Sequence, residues 1–415
     1  MTTQRAIGDP APPPATGAPP RSAARARSWL IVAAIVCGCY GLGSIAVYLI
    51  YLTRHPVQDW MVYYAAARAY LDGDLPLIFD GERFTAYLNA YFADWLTEPF
   101  AFRSWAYPPP FLLLLIPFGM LGFAVSCALF EAATLAALLA ALRHSLGSGR
   151  RWALHAVSLL LAPAAWFNIV SGQNGFLSAA LLVGGFGLMP RRPALAGVLL
   201  GLMAYKPQLW LLVPVALVAA RQWRVLATAI ATGAAMALAS VAVFGIESWL
   251  LWIEAIVNPP PGAYQRFLEC CRLHDESVFT NLALLGASKT VADLGQLAAL
   301  LVAGGVVWWC YRRRLPGDLR FAVLLGATVL AAPHVANYDA VLLVVAATLV
   351  FGYGLDHGFR AGGVVVPLAV WMIQLFNPPS AFPIGHITPV LTLLLIAGAI
   401  ARARSDALVD PLLRR

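Results

Sequence analysis

Charge is what this sequence has least of. Only 12% of its 415 residues are charged, about half the share in an ordinary soluble domain. Such a chain cannot cover a folded surface with polar groups. With 60% hydrophobic residues, this excludes a soluble globular enzyme and a disordered protein. Cysteine is scarce too, at six, with no zinc spacing and no redox CxxC, so a disulfide scaffold is excluded. Cys37, Cys39, Cys127 and Cys310 lie in or beside apolar runs, and Cys270 and Cys271 are adjacent in a polar loop. Lysine is nearly absent: of 28 basic residues only Lys206 and Lys289 are lysines. Walker loops, dinucleotide fingerprints, HExxH and paired His/Cys clusters are missing, so neither a metal nor a cofactor is expected.

What the chain has is long apolar runs. Mean hydropathy is +0.74, which points to an all-α polytopic membrane protein. Residues 1–28, rich in Pro, Ala and Arg, read as a disordered tail with nothing to bury. The run at 29–52 is too long for a signal-peptide core and reads as an uncleaved anchor. Further spans are expected at roughly 122–142, 152–170, 175–189, 194–205, 207–220, 225–245, 291–311, 320–333, 339–355, 362–376 and 387–401, which makes twelve. Residues 29–405 would form one transmembrane domain and 406–415 a second tail. Segment 107–121, broken by Pro108, Pro109, Pro110 and Pro117, reads as a partly inserted helix lining a cavity, although thirteen spans remain an alternative.

The few charges are sorted. Arginine clusters at 143–151, 191–192, 221–224, 312–320, 360 and 402–404 mark cytoplasmic loops. Loop 53–106 carries seven acids against four arginines, net −3, and loop 246–290 carries five acids against three bases, net −2. These two loops hold twelve of the 20 acids and should face outward, leaving both termini cytoplasmic.

Several groups could carry chemistry. If 59–70 is helical, Asp59 and Tyr63 share a face, four residues apart, with Tyr64 beside them. The plainer reading of Asp59 is an N-cap. Tyr107-Pro108-Pro109-Pro110 is either a site element or only a helix start. Gly172-Gln173-Asn174-Gly175 offers two amides in a tight turn, or simply the turn. Lys206 is either a snorkelling lysine or a buried cation with a partner such as phosphate. Pro333-His334-Val335-Ala336-Asn337-Tyr338-Asp339 gathers ionisable groups that are costly in an apolar region unless used or paired. Glu131, in mid-span, is paired, faces a cavity or is protonated. Glu276, Ser277 and Asn281 are weaker candidates.

In order and spacing, Asp59-Trp60 with Tyr63-Tyr64-Ala65-Ala66, Tyr107-Pro108-Pro109, Gly172-Gln173-Asn174, Lys206-Pro207, and Pro333-His334 with Tyr338-Asp339 resemble glycosyltransferase family 87. The resemblance implies a GT-C bundle of about twelve transmembrane helices with a large first periplasmic loop. It implies a donor such as polyprenyl-phosphate mannose, with Asp59 as catalytic base and Lys206 and His334 at the donor phosphate. Tyr63, Tyr64, Tyr107, Gln173, Asn174, Tyr338 and Asp339 would bind sugar or acceptor.

The chemistry is coherent with that pattern. Transfer to a hydroxyl needs a positioned base and donors where charge grows on the departing phosphate. Expected partners are membrane lipids, the polyprenyl-phosphate donor and a glycolipid or glycan acceptor, with no nucleic acid. The expected location is the bacterial inner membrane with a periplasmic site. The alternative is a polytopic transporter or lipid flippase, for which a central pore lined by Glu131 would speak, although no internal repeat is evident.

Overall fold

The computed structural model describes residues 35–43, 45–46, 50, 57–96, 98–146, 149–258, 262, 266, 275–313, 315–359, 362–372 and 387–409. The N-terminal tail, much of the first apolar run, Cys270, Cys271 and segment 377–386 lie outside them. Among the described residues the regular elements are helices: α1 (Gln58–Leu71), α2 (Gly81–Tyr91), α3 (Pro109–Gly119), α4 (Phe123–Leu146), α5 (Arg150–Leu161), α6 (Pro163–Ser171), α7 (Gly175–Leu188), α8 (Pro193–Gly201), α9 (Val213–Ala219), α10 (Trp223–Phe244), α11 (Glu247–Val257), α12 (Val278–Leu284), α13 (Lys289–Arg312), α14 (Gly317–Ala331), α15 (Val341–His357), α16 (Val365–Trp371) and α17 (Thr388–Val409). One isolated antiparallel bridge joins Asp275 to Ala336.

Among the described residues, four helical stretches are long and apolar enough to cross a membrane: α4, α10, α13 and Asn337–His357, which runs from a short 3-10 turn into α15. A fifth is added if α5 and α6, bent 54° at Pro163, form one broken span. Proline explains the bend, because it removes a backbone donor and crowds the preceding turn. Residues 193–205 and 207–219 are shorter apolar helical stretches. α3 has 11 residues, so it is about 17 Å long, little more than half a bilayer core.

The helices sort by what they bury. Most of Asn337–His357 is buried, 78% of its 18-residue apolar window, because α15 packs against α5, α7, α14 and α16. α10 and α13 keep rows of exposed apolar side chains, among them Ile230, Leu238, Leu294 and Leu301, as lipid-facing helices must. The buried Gln296 ties three helices together. Its Nε2 donates to the carbonyls of Leu330 and Ala331 at 3.0 and 3.2 Å, and its Oε1 accepts from Phe279 N at 3.0 Å. It thus satisfies end groups that α14 and α12 cannot satisfy internally.

Candidate active site

The site is built around a turn. α6 ends at Gly172, whose φ of +68° is left-handed, the usual geometry of a helix C-cap. A Cβ there would lie 2.5 Å from Trp60 Cβ on α1. At Gly175 a Cβ would lie 2.5 Å from both the Tyr338 carbonyl and Asn168 Oδ1. Two bare backbone positions therefore let Gln173 and Asn174 wedge between the first turn of α1 and the 3-10 turn at 337–340.

The turn is held from below by Asn168. Its Nδ2 donates to Glu131 Oε2 and to the Gln173 carbonyl, both at 3.0 Å, and its Oδ1 accepts from Gly175 N at 2.8 Å. This places Glu131: it is buried and paired with Asn168. It does not line an open pore.

Above the turn the side chains form one network. Tyr63 and Tyr107 hydroxyls are 2.7 Å apart, and Tyr63 donates to Gln173 Oε1 at 2.5 Å. Asn174 Nδ2 donates to both hydroxyls at 2.9 Å, while its Oδ1 accepts from Lys206 Nζ at 3.0 Å. Lys206 also donates to Asp339 Oδ1 at 2.6 Å and stands 4.8 Å from the Tyr338 ring centroid. The second Asp339 oxygen accepts from Ala336 N at 3.2 Å, which orients the carboxylate. Tyr107 and the Asp59 carboxylate are within electrostatic reach of both Tyr63 and Tyr338.

Asp59 is not an N-cap. α1 begins at Gln58 with Val57 at the cap position and no side-chain cap, so Asp59 sits inside the first turn, partly exposed and on the face of Tyr63. The proline run does start a helix, with Pro108 as cap of α3, and the same geometry delivers the Tyr107 hydroxyl to the network. Tyr64 is the expected residue that the fold takes elsewhere. It follows Tyr63 directly, so it leaves the helix on another side. Its hydroxyl donates to the Leu121 carbonyl at 2.9 Å and its ring packs against Phe123.

Lys206 is not a snorkelling lysine. Its side chain is 2% exposed, and its ammonium already faces Asp339 and Asn174. A direct bond to a ligand phosphate would have to be shared with, or taken from, one of these. His334 differs: its side chain is 57% exposed. Its Nδ1 meets Asp275 Oδ2 in a very short contact. The apolar surroundings of the pair disfavour charge on both groups. Even so, His334 and the Ser277 donors hold the Asp275 carboxyl below the usual carboxylate range. Asp275 in turn raises His334 above the ordinary imidazole value, with Lys206 opposing and Asp339 reinforcing.

Asp275 was invisible in the sequence. It is one of a dozen acids in the outer loops, and its partner lies 59 residues away. Its neighbours serve the loop: Ser277 caps α12, and Glu276 Oε2 accepts from Thr388 Oγ1 at 2.9 Å. Among the described residues, no three His, Cys, Asp or Glu side chains are grouped as a metal site would need.

An apolar hollow of about 260 Å³ opens beside this cluster, lined by Leu211, Phe279, Leu297, Leu300, Ala331 and Pro333, with Asp293 and Gln296 at its margin.

No curated protein and no solved structure matches the chain. The family model of glycosyltransferase family 87 does, over residues 105–333, more than half of the sequence. That stretch runs from just before Tyr107 to just before His334 and so contains Gln173, Asn174, Lys206 and Asp275. An apolar helical chain with this match is a membrane glycosyltransferase, and it belongs to glycosyltransferase family 87.

Proposed function

We propose that this protein transfers a hexose, mannose in the first instance, from a polyprenyl-phosphate donor to a hydroxyl of a lipid or glycan, with inversion, on the periplasmic face of the bacterial inner membrane. The proposed frame is a GT-C bundle of about twelve spans with both termini cytoplasmic. The reaction needs no metal and no cofactor.

One observation carries the reading. A partly exposed carboxylate, Asp59, stands within electrostatic reach of a network of hydroxyl- and amide-bearing side chains, and the same network includes the Lys206 ammonium, with the His334 imidazole next to it. In the reaction, the acceptor oxygen attacks the sugar C1 as Asp59 takes the hydroxyl proton. The bond from C1 to the phosphate oxygen breaks, and polyprenyl phosphate leaves with the electron pair. Negative charge grows on that phosphate, where His334 and Lys206 supply opposing charge. One carboxylate suffices, because phosphate departs without the acid that a glycosidase needs on a sugar oxygen. Tyr63, Tyr107, Gln173, Asn174, Tyr338 and Asp339 bind or frame the sugar and acceptor. The apolar hollow next to Pro333 suits the first isoprene units of the donor.

The transport alternative has lost its support. The family is one of glycosyltransferases, and Glu131 is buried against Asn168.

The test is transfer of labelled mannose from polyprenyl-phosphate mannose to a membrane-lipid or glycan acceptor by the purified full chain. Transfer that Asp59→Asn abolishes at matched expression is expected. No transfer from any polyprenyl-phosphate sugar would overturn the donor assignment.

A further inference from the structure

Two basic side chains stand at the site, and each has a carboxylate partner. They differ in which end of the pair the protein presents. Lys206 and Asp339 are both inside, at 2% and 1% side-chain exposure. In the second pair Asp275 is inside, at 5%, and His334 is open, at 57%. The second pair therefore turns its carboxylate inward and its imidazole outward.

Asp275 is itself fixed. Its Oδ1 accepts from Ser277 N at 2.9 Å. Glu276 N donates to the Val335 carbonyl at 2.7 Å, and the antiparallel bridge from Asp275 to Ala336 fixes the 275–277 segment against the 334–336 segment. A carboxylate held this way leaves the imidazole one orientation, with Nδ1 toward Asp275 and Nε2 on the opposite side of the ring. The pattern is familiar from histidines whose second nitrogen is set by the bond the first one makes.

We propose that Asp275 is a positioning residue for the donor phosphate: it grips His334 through Nδ1 and so presents a protonated imidazole, through Nε2, to the phosphate that departs. This rests on the polyprenyl-phosphate reading above. His334 gives up no proton in the step; it donates a charge-assisted hydrogen bond that strengthens as the phosphate gains charge.

Among the described residues, the charged groups that act on His334 are Asp275, Lys206 and Asp339. Lys206 and Asp339 oppose each other and both remain when Asp275 is changed. Asp275→Asn therefore isolates the effect of one carboxylate.

The experiment follows acylation of His334 by diethylpyrocarbonate across pH, on the full chain in detergent micelles, read by peptide mass spectrometry. The reagent attacks only the unprotonated ring, so the profile reports protonation without donor or turnover. In the wild type the midpoint is expected above the ordinary histidine value of about 6.5. In Asp275→Asn it should fall by at least one pH unit, and Asp275→Glu should restore part of the difference. A wild-type midpoint at or below about 6.5 overturns the proposal, even if the variants fail to fold. An unchanged midpoint in folded Asp275→Asn also overturns it.

A second arm measures kcat/KM for polyprenyl-phosphate mannose across pH. Activity should decline as pH rises through the His334 midpoint, and the decline should move to lower pH in Asp275→Asn by the same amount. A shifted acylation midpoint with an unmoved activity profile overturns the link to phosphate. Failure of transfer with every polyprenyl-phosphate sugar defeats the donor reading instead, and the acylation arm still decides whether Asp275 holds the proton on His334.

Discussion

Lys206 and Asp339, 133 residues apart, form an ion pair of 2.6 Å from which solvent is almost excluded. Lys206 follows the 3-10 turn at Leu202–Tyr205, and Asp339 lies in the turn at Asn337–Ala340. Asn174 bonds to the same ammonium. Three segments that the sequence keeps far apart are thereby registered against one another at the centre of the site.

Removing one partner of such a pair strands the other charge. Lys206→Ala is expected to insert into the membrane normally but to lose about 3–5 kcal/mol of folded stability. Lys206→Met combined with Asp339→Asn should recover most of that loss, because the stranded charge is gone and Asn can still accept from Ala336 N. Thermal unfolding in detergent measures both. If the double variant folds well and stays inactive, the ammonium serves the chemistry as well as the fold. If it turns over at the wild-type rate, the pair is structural only.

Asp59 lies in the first turn of α1 without capping it. Its replacement by Asn should therefore leave folding nearly intact while lowering turnover about 10²–10⁴-fold, the usual worth of a positioned base. Labelled-sugar transfer at matched expression is the measurement. Turnover within a few-fold of wild type would sink the base assignment.

The turn at Gly172–Gly175 has no room for a methyl group. Gly172→Ala adds the strain of a left-handed backbone, about 1–2 kcal/mol, to a close approach on Trp60. Gly175→Ala pushes against the Tyr338 backbone carbonyl, and overpacking of this kind costs about 1–3 kcal/mol. Both variants should lose activity by displacing Asn174, with reduced thermal stability as the accompanying readout. Full activity in Gly175→Ala would show that the turn tolerates displacement from Tyr338.

Glu131 accepts from Asn168, and Asn168 holds the turn. Glu131→Gln keeps an acceptor in place and should stay within a few-fold of wild-type activity. Glu131→Leu removes it and should cost about 1–3 kcal/mol of stability. Inactivity of a stably folded Glu131→Gln would instead mean that the carboxyl takes part in chemistry.

The hollow beside Pro333 gives a test of tail recognition. Leu300→Trp should fill part of its roughly 260 Å³. It should raise KM for a long-chain polyprenyl-phosphate sugar while leaving a short-chain analogue unaffected. Equal effects on both donors would place the tail elsewhere.

Much of the site was legible before any tertiary structure. Asp59 and Tyr63 sit four apart on a helix, so their common face follows from helical geometry alone. The glycines at 172 and 175 announced a tight turn, and the scarcity of lysine singled out Lys206. Tyr64 packs apart from the Tyr63 network because adjacent residues in a helix diverge, which the motif Tyr63-Tyr64 conceals. Asp275 was missed because one acid among many in a loop carries no mark of its partner.

The sequence by itself determined that the protein is apolar, helical and membrane-bound, because so few charges cannot clothe a soluble surface. It also singled out a few polar residues as costly in an apolar region unless used or paired. Only the tertiary structure decided how they are paired. It turned Lys206 inward onto Asp339, seated Glu131 beneath the turn, and put Asp275 behind His334. The reason is physical: periodicity and composition report local geometry and burial, whereas a charge acquires its role from the partner opposite it, and these partners lie tens to more than a hundred residues away along the chain.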